Sequence, residues 1–345
     1  MRDFESLYEH MRQKLTGIVP DFEIRLKAEV AHEVLRLKEE RGAVILGHNY
    51  MEPALFHSVP DFVGDSLELS RRAAGTHADV IIFCGVRFMA ETAKILSPEK
   101  TVLLPAAEAG CSLAASITAE DVRMLRRRFP GVPVVSYVNT YADVKAESDL
   151  CCTSGNAAKV LQSLGDQSVI FIPDEYLATN TALDAGRRVI YVNREKLAET
   201  IRPPRGAVIA WQGRCEVHEQ FSVVDIRRAR EQFAGVEVLA HPECSREVVA
   251  ASDFSGSTTA MVRRVKESRA PHYLLLTECS MGDNIIAENR EKDILRLCSI
   301  RCPHMHQITL EGVLRALTHN EQLIDVPEPT RSKARHAVER MLQIG

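Results

Sequence analysis

Ala43-Val-Ile-Leu-Gly-His-Asn-Tyr50 is an apolar run that ends in a polar-x-polar pair, and the chain carries this pattern twice more. The second copy is Val134-Val-Ser-Tyr-Val-Asn139 and the third is Val238-Leu-Ala-His-Pro-Glu243. Short runs rich in Val and Ile read as buried strands, so each polar pair falls where a strand gives way to a loop. The likeness continues downstream. Asp65-Ser66, Thr153-Ser154 and Ser257-Thr258 each stand ahead of a helical pattern, where a hydroxyl is a natural N-cap. A second strand follows each helix, at Val80–Phe83, Val169–Ile172 and Tyr273–Leu276. The first two copies add a third strand, at Thr101–Leu104 and Ala207–Trp211. Each copy closes on a cysteine: Cys111, Cys215 or Cys302.

The spacings support a triplicated unit. His48, Tyr137 and His241 lie 89 and 104 residues apart, Ser66, Ser154 and Ser257 lie 88 and 103 apart, and the three cysteines 104 and 87. The middle copy is the longest, and its excess, Asp184–Gly206, reads as an insertion. Strands alternating with helices predict α/β units with parallel sheets. The expected divisions are an N-terminal helical segment 1–41, repeats at 42–128, 129–232 (insertion 184–206) and 233–309, and C-terminal helices 310–345. Ligands of such sheets bind beyond the carboxyl ends of the strands. Three units around a common axis would therefore aim three cysteines and three polar sets at one spot.

Composition bounds the function. The 345 residues are 45% hydrophobic and 26% charged, as in ordinary globular chains, and the net charge of −4 argues against nucleic acid as the main partner. The longest uncharged stretch, Phe129–Ala142, has 14 residues, too short for a membrane span. The N-terminus is charged, with no apolar segment of a secretory signal. Nine cysteines without an export signal predict a reducing, cytoplasmic setting rather than a disulfide scaffold.

A cysteine taken alone is most often a buried apolar filler. Cys111, Cys215 and Cys302 stand apart because each is the last element of an equivalent block, so the repeat predicts that they converge. Iron–sulfur clusters are held by thiolates, although the usual closely spaced Cys-x-x-Cys runs are absent here. Cys84, Cys244 and Cys279 read as structural, and so do Cys151 and Cys152 ahead of a cap. Two histidines at equivalent strand ends, His48 and His241, point to a site, and His218 gains from its neighbour Cys215. Glu243 is the carboxylate at the matching place. Partly buried beside a cluster, it is expected to have a raised pKa and to act as a base. Tyr50, Tyr137, Asn139, Ser66, Ser154, Ser257 and Thr258 complete a donor-rich set suited to a small polyanion. No zinc-hydrolase, Walker or Gly-x-Gly-x-x-Gly sequence occurs.

These segments resemble quinolinate synthase of the A type, an iron–sulfur enzyme of de novo NAD biosynthesis. The likeness covers about residues 40 to 317, through Gly47-His-Asn-Tyr50, Gly64-Asp-Ser66, Cys84-Gly-Val-Arg-Phe-Met-Ala-Glu-Thr-Ala-Lys-Ile-Leu96 and Gly110-Cys-Ser112. It continues through Tyr137-Val-Asn139, Cys152-Thr-Ser-Gly-Asn-Ala157, Trp211-Gln-Gly-Arg-Cys-Glu-Val-His218, His241-Pro-Glu-Cys244, Gly256-Ser-Thr258 and Cys302-Pro-His-Met305. The resemblance implies three similar three-layer αβα domains with parallel sheets around a pseudo-threefold axis. It implies a [4Fe-4S] cluster on Cys111, Cys215 and Cys302, whose open iron acts as a Lewis acid. The implied transferase condenses iminoaspartate with dihydroxyacetone phosphate to quinolinate, releasing phosphate and water. Glu243, Tyr50 and His218 would be catalytic. His48, Ser66, Tyr137, Asn139, Ser154, His241, Ser257 and Thr258 would bind substrate. L-aspartate oxidase is an expected supplier of iminoaspartate, and the chain is expected as a monomer or homodimer without nucleic-acid or membrane partners. The insertion suggests a longer branch of the family, with an interface or lid as its role. Cys298-x-x-x-Cys302 stands where some members carry Cys-x-x-Cys, so a regulatory disulfide at that spacing is not expected and Cys298 remains an alternative third ligand. The residues alone leave two other readings open: a hydro-lyase on a small hydroxy acid, and a non-enzymatic iron–sulfur sensor.

Overall fold

The computed structural model of the protein describes residues 3–197 and 203–344. Its strands are β1 (Ala43–His48), β2 (Phe62–Gly64), β3 (Val80–Cys84), β4 (Thr101–Leu103), β5 (Val134–Tyr137), β6 (Leu150–Cys152) and β7 (Val169–Ile172). They continue with β8 (Val189–Val192), β9 (Val208–Trp211), β10 (Val236–Ala240), β11 (Phe254–Ser255), β12 (His272–Leu276) and β13 (Asp293–Arg296). They form three parallel sheets, ordered β2-β1-β3-β4, β6-β5-β7-β9-β8 and β11-β10-β12-β13. One topology is thus built three times, giving three similar αβα domains. Helices cover the sheets, and β5, β7, β9 and β10 are buried along their whole length, as parallel strands packed on both faces must be.

The differences from expectation lie at sheet edges. The third repeat does have a third inner-edge strand, β13, which the sequence hides because Asp293-Ile-Leu-Arg296 carries charges at both ends. The outer strands β2, β6 and β11 are two or three residues long and offer no periodicity to read. The insertion supplies β8, a fifth strand parallel to β9, while its residues 198–202 lie outside the described residues. The hydroxyl caps also need correction. Asp65, not Ser66, caps helix Ser66–Gly75, and helix Ala157–Ser163 starts after Asn156, not Ser154. Only Ser257 caps as expected, accepting from the Ala260 N–H at 3.3 Å.

Three aspartates lock the repeats in the same way. Asp61, Asp149 and Asp253 each take a strand N–H at 2.8 Å, from Ile45, Val134 and Val238. Each is also paired with a cation on the helix before the first strand: Lys38, Arg126 or Arg230. Asp149→Ala would leave the buried Val134 N–H without its partner. It is expected to lower unfolding free energy by about 1–3 kcal/mol, measured by urea denaturation.

The C-terminal helix Thr330–Ile344 closes over the middle repeat, where Asn156 and Arg340 tie it down through the carbonyls of Met341 and Asp149. Among the described residues no helix is long and apolar enough to cross a membrane. Cys279 and Cys298 are joined as a disulfide, so Cys298 is not a candidate ligand.

Candidate active site

The carboxyl ends of the three sheets meet around one buried cavity. Every residue singled out from the sequence lines it except Ser257. Ser257 stands one layer behind, donating to Asp65 Oδ2 at 3.0 Å, while its neighbour Thr258 accepts from Asn49 Nδ2 at 2.8 Å. The cavity also takes in Asp65, Thr153 and Glu278.

The three cysteines share one local structure. Cys111 caps the short helix Ser112–Ala115, Cys215 and Cys302 stand three residues ahead of the turns His218–Gln220 and Met305–Gln307, and each carbonyl accepts the N–H four residues on. Backbone N–H groups two and three positions on face each sulfur: Leu113 and Ala114, Val217 and His218, His304 and Met305, the Ala114 N–H bonding Cys111 Sγ at 3.5 Å. Such N–H donors favour a thiolate. Burial works the other way, pushing the Cys111 thiol up to about 12 and Cys302 to about 11, and Cys215 well above its ordinary value. A thiol so buried ionises when a metal charge offsets the lost solvation. Preformed N–H donors around three thiols that line one cavity therefore fit a thiolate-ligated cluster. A tighter set of donor atoms, Cys215 Sγ, His218 and Glu243, lies within 4.8 Å and could hold a single ion. Its closeness is already explained by hydrogen bonds among the three.

His218 is the hub of those bonds. Its Nδ1 lies 2.9 Å from Glu243 Oε2 and 3.2 Å from Cys215 Sγ, and its Nε2 lies 3.0 Å from Thr277 Oγ1. Tyr50 joins through its hydroxyl, 2.6 Å from Thr277 Oγ1 and 3.4 Å from His218 Nε2. Glu243 Oε1 accepts a short bond from the Tyr137 hydroxyl and a 3.5 Å bond from Asn139 Nδ2. Glu243 corrects the sequence expectation. Burial alone would raise its pKa, but His218 on one oxygen and the Tyr137 hydroxyl on the other outweigh it and hold the carboxyl below its ordinary value. Tyr50 and Tyr137 are pushed well above theirs, by burial and then by the Glu243 charge, so both remain phenol donors.

His48 and His241 explain why histidine recurs at one repeat position. His48 Nδ1 accepts the Tyr50 N–H at 3.2 Å, and His241 Nδ1 accepts the Glu243 N–H at 3.3 Å. Burial lowers His48 to about 4 and His241 to about 3, so both rings are neutral. With Nδ1 accepting, the ring proton sits on Nε2, a donor for an anionic ligand.

Sequence reasoning missed Thr277, Glu278 and Asp174. They follow β12 and β7 at equivalent places, and that equivalence was their only signal. Burial pushes Glu278 up to about 7. Asp174 caps helix Glu175–Asp184 and is raised well above the carboxylate range by burial and the Glu243 charge. A wider cleft of about 1100 Å³ between the middle and third repeats shares only Ser154 with the site.

Comparison with known proteins agrees with this geometry. Residues 32–343 match the quinolinate synthetase A protein family. Quinolinate synthase 1 of Mesorhizobium japonicum is 51% identical over 337 residues, 98% of this chain and 97% of that protein. The quinolinate synthase of Xylella fastidiosa is 51% identical over 311 residues, 90% and 86% of the two chains. That of Caulobacter vibrioides is 46% identical over 336 residues, 96% and 86%. Matched along nearly its whole length, with the block-final cysteines and the Glu243–His218–Tyr50 set around one cavity, the chain belongs to the quinolinate synthetase A family.

Proposed function

We propose that the chain condenses iminoaspartate with dihydroxyacetone phosphate to quinolinate, releasing phosphate and water, as a transferase of de novo NAD biosynthesis in the cytoplasm. The observation that carries this reading is the convergence of Cys111, Cys215 and Cys302, each faced by backbone N–H groups of its own turn, on the cavity that holds Glu243. These three cysteines would hold a [4Fe-4S] cluster. When bound, it supplies Lewis acidity from an iron without a protein ligand, toward substrate oxygens and a leaving hydroxyl.

The side chains supply the rest. Glu243 is a carboxylate poised to take a proton from a carbon next to a carbonyl. His218, on its other oxygen, passes that proton toward Thr277 and Tyr50. The Nε2–H groups of His48 and His241 offer two neutral donors, and Ser66, Ser154, Thr258, Asn139 and Tyr137 bring further donors to carboxylate and phosphate oxygens. Ser257 acts through Asp65. Iminoaspartate hydrolyses in water, so an aspartate-oxidising enzyme such as L-aspartate oxidase is the expected source.

The test is a condensation assay on protein purified without oxygen, with iminoaspartate generated in situ. Quinolinate and phosphate are expected to appear together, and only with both substrates. Dehydration of a hydroxy acid without phosphate release would replace this reading with a hydro-lyase.

A further inference from the structure

Three buried side-chain nitrogens, two of amides and one of a lysine, hold the backbone at the three matching site residues. Asn180 Nδ2 donates to the carbonyls of Pro242 at 2.9 Å and Cys244 at 3.0 Å, one on either side of Glu243. Asn284 Nδ2 donates to the carbonyls of Asn49 at 3.2 Å and Met51 at 2.9 Å, one on either side of Tyr50. Lys145 Nζ donates to the carbonyls of Val138 at 2.9 Å and of Thr140, one on either side of Asn139. The three donors are 2%, 4% and 0% exposed, so these bonds have no competition from solvent.

Their places follow the repeat. Asn180 is the sixth residue of helix Glu175–Asp184, and Asn284 the sixth of helix Cys279–Glu288. The equivalent residue of helix Arg87–Leu96 is Thr92, whose hydroxyl is bound to its own helix at the Phe88 carbonyl. Lys145 takes over that task from within the middle repeat. Both asparagine clamps cross a repeat boundary: Asn180 reaches from the middle repeat to the third, and Asn284 from the third to the first. The first repeat meets the second one residue before Thr92, where Glu91 Oε2 accepts the Ala142 N–H at 2.8 Å. In both asparagines the amide oxygen is buried with no partner among the described residues. A buried acceptor left unpaired is unfavourable. The amide is therefore oriented by its NH₂ end, toward the two carbonyls.

We propose that Asn180, Asn284 and Lys145 are positioning residues that hold Glu243, Tyr50 and Asn139 at the reacting centre, and that the asparagines tie this placement to closure of neighbouring repeats. The naming of the reaction rests on the function proposed above; the clamps themselves do not. A reacting group displaced by about 1 Å loses on the order of 100-fold in rate.

The test is a pair of double-mutant cycles in the anaerobically purified protein. Asn180→Ala is expected to lower kcat about 100-fold with little change in KM. In the Glu243→Gln background the same change is expected to have almost no further effect, because a residue acting only through Glu243 has nothing left to position. Asn284→Ala is expected to behave likewise against Tyr50→Phe. Equal losses in every background, or unchanged kcat, would overturn the proposal. If Asn180→Ala does not fold, the isosteric Asn180→Asp, which also lacks the two donors, and the Asn284 cycle decide. A wild-type chain that makes no quinolinate refutes the proposed reaction, and amide hydrogen exchange then judges the clamps. Asn180→Ala should speed exchange at 241–245 and leave 48–51 unchanged; unaltered exchange at 241–245 would overturn them.

Discussion

Replacing Cys111, Cys215 or Cys302 by serine, one at a time, is expected to abolish cluster binding and turnover together. The three sulfurs sit in the same turn, each facing two backbone N–H groups, and all three line one cavity. A serine hydroxyl keeps the shape but is a hard, weakly acidic ligand, poorly matched to iron of a sulfide cluster. Two remaining thiolates do not retain a centre built for three. Losing a Lewis acid worth several kcal/mol of charge stabilisation lowers turnover by about 10³-fold or more. Cys298→Ser is the control: that sulfur is bonded to Cys279, so the variant is expected to keep its iron. Iron and sulfide analysis of the four variants separates these outcomes. Full iron content in any one of the first three removes that cysteine from the ligand set.

Glu243→Gln is expected to keep the cluster and lose turnover by about 10²–10⁴-fold, the range for a general base. The amide cannot accept a substrate proton, and it disturbs the bonds from Tyr137 and His218. The sign of the pH effect follows from the lowered pKa. A carboxyl held below its ordinary value of 4.5 contributes stability that is fully present above that pH and is lost as pH falls through the folded value. Glu243 is thus ionised throughout the neutral range, and the pH profile of turnover should show no acid limb from this residue above pH 5 or so. An acid limb near neutrality that vanishes in Glu243→Gln would contradict the assignment of its charge.

The fold was legible wherever the repeat left long apolar strands. β1, β5 and β10, with β3, β7 and β12 after them, are central strands buried on both faces, so their sequences are mostly apolar and rich in Val, Ile and Leu. The outer strands β2, β6 and β11 escaped because two or three residues carry no pattern, and β13 because edge strands tolerate charge. The same logic governs the site. His48, Tyr50, Tyr137, Asn139, His241 and Glu243 follow central strands and were visible as a set. Thr277 and Asp174 also follow central strands, but as ordinary cap-like residues they carry no chemistry until Tyr50, His218 or Glu243 is brought beside them. The charge state of Glu243 was misread because the sequence shows its burial and not the His218 ring and Tyr137 hydroxyl that outweigh it. Asn180 and Asn284 looked like plain helical residues, since their bonds reach across repeats that the sequence does not assemble.

The most direct measurement is the iron and sulfide content of the protein purified without oxygen, read with its visible spectrum. A brown protein with about four of each per chain is the expected result for a thiolate-held four-iron cluster. A colourless protein that cannot be reconstituted with iron and sulfide would contradict the convergence of Cys111, Cys215 and Cys302 on a cluster, and with it the proposed condensation.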